Sequence, residues 1–147
     1  MIEGGAARDA GRPEPWRWPP EVGPILVVED DEALRALLVD AIGQAGHPVT
    51  SAPNGAAALD EVRRHRPSLI LLDLFMPVMD GPAFLDAYRR LPEPLAPVVI
   101  CTAHPDPVGQ AVRLGASDYL QKPFVLRDVL AVVGAHTRDM ARSLRRV

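Results

Sequence analysis

Four short apolar runs in this 147-residue chain each lead into a residue type that can do chemistry. Ile25 to Val28 is followed by Glu29, Asp30 and Asp31, Leu69 to Leu72 by Asp73, and Val98 to Cys101 by Thr102. The run through Tyr119 and Leu120 reaches Lys122, the only lysine in a chain whose other fifteen basic residues are arginine. An ammonium is a compact point charge that meets a phosphate or carboxylate head-on, whereas a guanidinium is a planar fork. A carboxylate is a poor nucleophile toward an anionic phosphoryl group unless cations neutralise the charge, and Mg²⁺ favours a few carboxylates together with phosphate and water oxygens. Acids, a lone carboxylate, a hydroxyl and an ammonium in this arrangement predict a magnesium-dependent phosphoryl-acceptor site. Each residue also has a plainer reading. Acids at a helix start complement its dipole, Asp73 could be a turn residue, and Thr102 could be a strand-end hydroxyl.

The elements between these residues decide whether they can meet. The runs at 25–28, 69–72, 98–101 and 119–120, with a weaker one at 47–52, read as short buried strands. Between them lie helical patterns. Ala33, Leu34, Leu37, Leu38, Ala41, Ile42 and Ala45 repeat at helical spacing, with Asp30 or Asp31 as the cap and Gly46 as the stop. Further helices are expected over about 55–65 and 82–91, from Asp106-Pro107 to Gly115, and from about Leu126 towards Leu144. Strands alternating with helices imply right-handed crossovers and a parallel sheet with helices on both faces. In such sheets ligands sit beyond the carboxyl ends of the strands. Glu29, Asp30, Asp73, Thr102 and Lys122 all fall at such ends, and that convergence outweighs the separate plain readings.

Composition narrows the rest. The chain is 48% hydrophobic with a formal net charge of −3, so no global basic surface argues for direct nucleic-acid binding. The acidic excess belongs to residues 22–130, with nine basic against fourteen acidic groups, and residues 131–147 are basic. Cys101 excludes an internal disulfide framework and reads as a buried small hydrophobe. No apolar run approaches the roughly 20 residues of a membrane span and no signal pattern opens the chain, so a cytoplasmic protein without membrane partners is expected. The four histidines show no metal-ligand spacing. Residues 1–23 are rich in Gly, Pro and charge and predict a disordered tail. Trp16 and Trp18 within it suit either a partner-docking peptide or loose packing onto the chain's own domain.

The stretches ILVVEDDEALRALL, LILLDLFMPVMDG, VVICTAH and GASDYLQKPF, in this order and at this spacing, resemble the receiver domain of two-component response regulators over about residues 24–135. The resemblance implies a doubly wound α/β fold of the flavodoxin-like type, a five-stranded parallel sheet in the order 2-1-3-4-5. It implies Asp73 as phosphoacceptor and Glu29, Asp30, Asp73 and the backbone carbonyl of Phe75 as holders of Mg²⁺. It also implies Thr102 and Lys122 as ligands of the phosphoryl group, and Thr102 and Tyr119 as switch residues. Glu29 stands where a shorter aspartate is usual, and its longer arm predicts contact with the metal through water. Asp31 is then a cap or a solvated acid. The implied partners are a histidine kinase or phosphotransfer protein and an output protein, with a phosphorylation-dependent homodimer also in keeping.

After about residue 135 only a basic extension of the last helix remains, over 136–147, so a regulator acting by protein contact is expected. The alternative is the receiver fragment of a larger DNA-binding regulator. A haloacid-dehalogenase-type phosphatase is a second alternative. It resembles the chain less, because Phe75 occupies the position two residues after Asp73 where a general acid would be needed.

Overall fold

The computed structural model describes residues 23–146, with side chains through Thr137. The expected tail, with Trp16 and Trp18, lies outside the described residues up to Glu21-Val22, as do the side chains of the basic extension beyond Thr137. Five strands alternate with five helices: β1 (Ile25–Val28), α1 (Glu32–Gln44), β2 (Val49–Ala52), α2 (Gly55–Arg64), β3 (Leu69–Asp73), α3 (Gly81–Tyr88), β4 (Val98–Thr102), α4 (Pro107–Leu114), β5 (Asp118–Gln121) and α5 (Leu126–Arg146). All strand pairs are parallel, in the order β2-β1-β3-β4-β5. This is the expected doubly wound sheet.

The unbroken apolar runs follow from helices covering both faces. Side chains alternate across a strand. Leu26, Val28, Ile70, Leu72, Val98 and Ile100 pack with α2, α3 and α4 through Leu59, Phe84 and Ala111. Ile25, Val27, Leu69, Leu71, Val99 and Cys101 pack with α1 and α5 through Leu38, Ile42, Val129 and Val133. A strand with one wet face would have alternated in sequence. Cys101 belongs to the second cluster, and burial pushes its thiol up to about 12, so it is the inert small hydrophobe expected.

The structure decides one local reading left open and refines others. Asp31, not Asp30, caps α1: its Oδ1 accepts from Leu34 N–H at 3.0 Å. Leu37 is 48% exposed, so the buried stripe of α1 is narrower than its apolar pattern. α3 ends at Tyr88 rather than near 91. Pro92 disfavours helical backbone at Leu91, and the last residues close as turns, with Leu91 N–H donating to Tyr88 C=O. Asp80, directly before Gly81, caps α3 by accepting from Ala83 N–H.

Gly81 holds the start of α3 against the end of β3. Its N–H donates to Leu74 C=O at 3.0 Å, and a Cβ there would lie 2.7 Å from the Asp73 carbonyl oxygen and 2.8 Å from Leu74 Cα. Backbone cannot yield as a side-chain tip can, so an added methyl must displace Asp73 or the helix. Gly81→Ala should destabilise the fold by about 1–3 kcal/mol in urea titration. An unchanged midpoint would show that the close approach is not required.

Candidate functional site

β1, β3, β4 and β5 end side by side, and their register brings the chemistry together. Asp73 is the last residue of β3 and pairs with Cys101, one residue before Thr102. The backbone N–H of Lys122 donates to Thr102 C=O at 2.7 Å, which ties the end of β5 to β4. Arg35 of α1 reaches back to donate to Glu29 C=O at 2.9 Å and fixes the residue after β1. Glu29, Asp73 and Thr102 are buried, while Asp30 is exposed at the mouth.

Lys122 Nζ lies 2.9 Å from Glu29 Oε1 and 3.4 Å from Asp73 Oδ1. Glu29 Oε2 accepts from Asp31 N–H at 3.1 Å, so both oxygens of Glu29 are engaged. One carboxylate oxygen from each of Glu29, Asp30 and Asp73 lies within 4.8 Å of the others. Three carboxylates therefore share the site with one ammonium, which contacts two of them. Burial and the charge of Glu29, only partly offset by Lys122, push the Asp73 carboxyl up to about 7. Burial alone would lower Lys122, but its hydrogen bond to Glu29 and the charges of Asp73 and Glu29 outweigh it and hold the ammonium above the ordinary lysine range. The site carries negative charge in excess, arranged as hard oxygen donors around one point. That donor set and that deficit of positive charge fit a Mg²⁺ ion.

The remaining expected residues sit further out. Thr102 is 1% exposed; its hydroxyl donates to Gln110 Oε1 at 2.7 Å and accepts from His104 N–H at 3.0 Å. Tyr119 is on β5 with 37% exposure, and the Phe75 side chain is 70% exposed beside the site. Two functional contacts were not foreseen, Arg35 on Glu29 and Gln110 on Thr102. Six residues separate the first pair and eight the second, each across a loop and a helix start, so neither spacing marks a contact in the sequence.

Residues 25–134 match the family of the response regulator receiver domain, and the chain belongs to that family. The DNA-binding transcriptional regulator NtrC of Escherichia coli strain K12 is 39% identical over 113 residues, covering 76% of this chain and 24% of that protein. The response regulator MprA of Mycobacterium sp. strain KMS is 38% identical over 117 residues, covering 78% of this chain and 50% of that protein. This chain thus spans between about a quarter and a half of the length of these curated relatives. Among solved structures, the receiver domain of NtrX from Brucella abortus superposes with a TM-score of 0.67 at 31% identity, over 76% of this chain and 96% of that one. The Francisella response regulator 1452 receiver domain does so with a TM-score of 0.72 at 26% identity, over 80% of this chain and 98% of that one. These relatives lend no support to the phosphatase alternative. Among the described residues no helix is long and apolar enough to cross a membrane.

The charge excess has a signature in stability. A carboxyl raised in the folded state contributes stability that is complete below its ordinary value of 3.8 and is lost as pH rises through about 7. With metal chelated at pH 8, Asp73→Asn should therefore be more stable than the parent, by up to about 4 kcal/mol. The gap should shrink towards pH 5, and added Mg²⁺ should close it by stabilising the parent. A variant no more stable than the parent at pH 8 in chelator would contradict the charge excess; thermal melts at both pH values decide.

Proposed function

We propose that this receiver takes a phosphoryl group onto Asp73 from a histidine kinase or phosphotransfer protein, with Mg²⁺ bound, and thereby controls an output protein. The observation that carries the reading is the buried Asp73 carboxylate, 3.4 Å from the only lysine ammonium and grouped with Glu29 and Asp30 at the carboxyl end of a parallel sheet. In the transfer, the bond from phosphorus to the donor nitrogen breaks as a P–O bond to Asp73 forms. Such reactions need mostly positioning and neutralisation of the phosphoryl oxygens. Arg35, Gly81 and the β3–β4 register position Asp73 and Glu29 in advance. Lys122 supplies one positive charge, and Mg²⁺, when bound, supplies the rest. Asp30 and Asp73, with the Phe75 carbonyl, would hold the ion. Glu29, already holding Lys122 and Asp31 N–H, suits contact through water. Thr102 would donate its hydroxyl to a phosphoryl oxygen, and Tyr119 would turn inward with it.

On this reading residues 24–135 are the receiver, 1–23 a tail and 136–147 an extension of the last helix, and the domain works in the cytoplasm. It performs magnesium-dependent self-phosphorylation and dephosphorylation on Asp73 rather than turnover of a separate substrate. The output is a partner protein or a second copy of the chain. The greater length of NtrC and MprA keeps the alternative of a receiver within a larger regulator.

Two outcomes test the site. Acetyl phosphate with Mg²⁺ should add one phosphoryl mass to the parent and none to Asp73→Asn; full labelling of that variant would place the acceptor elsewhere. The lifetime tests Phe75. Hydrolysis needs water in line with phosphorus, and an apolar ring beside the site offers that water no hydrogen bond. Phe75→Asn, with a water-orienting amide, should lose its phosphoryl group faster, by about tenfold within the range of positioning effects. Unchanged or slower decay, followed by mass after donor removal, would refute the screening role.

A further inference from the structure

The Thr102 hydroxyl proton is committed before any phosphoryl group arrives. It has one proton, and that proton goes to Gln110 Oε1 at 2.7 Å, while its oxygen accepts from His104 N–H at 3.0 Å. A phosphoryl group on Asp73 would require the same proton, so Gln110 and the phosphoryl oxygen are mutually exclusive acceptors. We infer that Gln110 is a positioning residue that latches Thr102 in the unphosphorylated state and transmits its release to α4. This inference rests on the phosphoryl-acceptor reading of Asp73.

The surroundings suit a latch. Gln110 is on α4, its backbone N–H donating to Asp106 C=O at 3.1 Å, so its side chain is the link between the helix start and the buried end of β4. The loop between them is already tied by its own bonds. Asp106 N–H donates to His104 Nδ1, Gly109 N–H to Asp106 Oδ1, and Gln121 Nε2 to His104 C=O. A Cβ at Gly109 would lie 2.0 Å from Asp106 Oδ2, so the cap is compact and leaves little slack before Gln110. Gln110 also lines a cavity of about 300 Å³ shared with Leu74, Phe75 and Arg113. That space gives the released amide somewhere to go. The same helix exposes Val108 at 52% and Val112 at 75%, so a shift of its first turn moves an apolar surface.

The latch opposes phosphoryl binding by the strength of one partly buried hydrogen bond, which corresponds to roughly fivefold in an equilibrium constant. The probe is beryllofluoride, titrated with Mg²⁺ into the full chain and followed by ¹⁹F NMR. Gln110→Ala should bind it about fivefold more tightly while the free protein melts at a lower temperature. In the Thr102→Ala background, where no hydroxyl remains to be latched, the same substitution should change affinity by less than about twofold. A helix merely weakened by the substitution would behave alike in both backgrounds. Unchanged or weaker binding by Gln110→Ala, or an equal gain in the Thr102→Ala background, overturns the latch and leaves the acceptor reading standing. No Mg²⁺-dependent binding by the parent overturns both.

Discussion

Three carboxylates cluster at one point and two of them hold the one ammonium, and the rest of the structure serves to keep them there. Like charges at this spacing repel, and burial strips away the water that would screen them. The arrangement persists because each group is held from elsewhere. Lys122 is bound to Glu29 and tied through its backbone to Thr102. Glu29 is held by Asp31 N–H at its side chain and by Arg35 at its carbonyl. Asp73 ends a strand whose five residues are all buried. The apolar core on both faces of the sheet supplies the stability that the site forgoes. A site left short of positive charge stands to gain from a cation among its carboxylates.

The same economy of partners links the site to the surface. Thr102 has only one proton to give and already gives it to Gln110. Lys122 has its neighbours among the acids, so a new anion on Asp73 must redistribute contacts rather than simply add them. On the proposed reading such a redistribution would bias a two-state element and so give a local charge event a remote readout. α4, with its exposed Val108 and Val112, is the element these contacts touch directly.

Much of this was legible in the sequence because strand ends are legible. Apolar runs such as Leu69 to Leu72 mark strands buried on both faces, and in a parallel sheet the next residue lands at the ligand-binding edge. Asp73, Glu29, Asp30, Thr102 and Lys122 followed from that rule and a single exceptional lysine, and the four-motif resemblance agreed. What was not legible depended on side-chain geometry. The sequence allowed either Asp30 or Asp31 to cap α1, since adjacent acids differ only in where their side chains point. Leu37 fits an apolar stripe by spacing, yet it faces solvent because the stripe's centre lies over Leu38 and Ile42. Gln110 carried no signal at all, because a glutamine on a helix is ordinarily a solvated residue. Only the distance to a buried hydroxyl distinguishes it.

The central claim is the deficit of positive charge around Asp73, and its most direct measure is the titration of that one carboxyl group. Carboxyl ¹³C NMR of the metal-free protein should show Asp73 titrating near pH 7, where burial and the charge of Glu29 hold it. Saturating Mg²⁺ should move that midpoint down by several units, as an added cation favours the ionised form. A midpoint in the ordinary carboxylate range without metal, or one that Mg²⁺ leaves in place, would contradict the account.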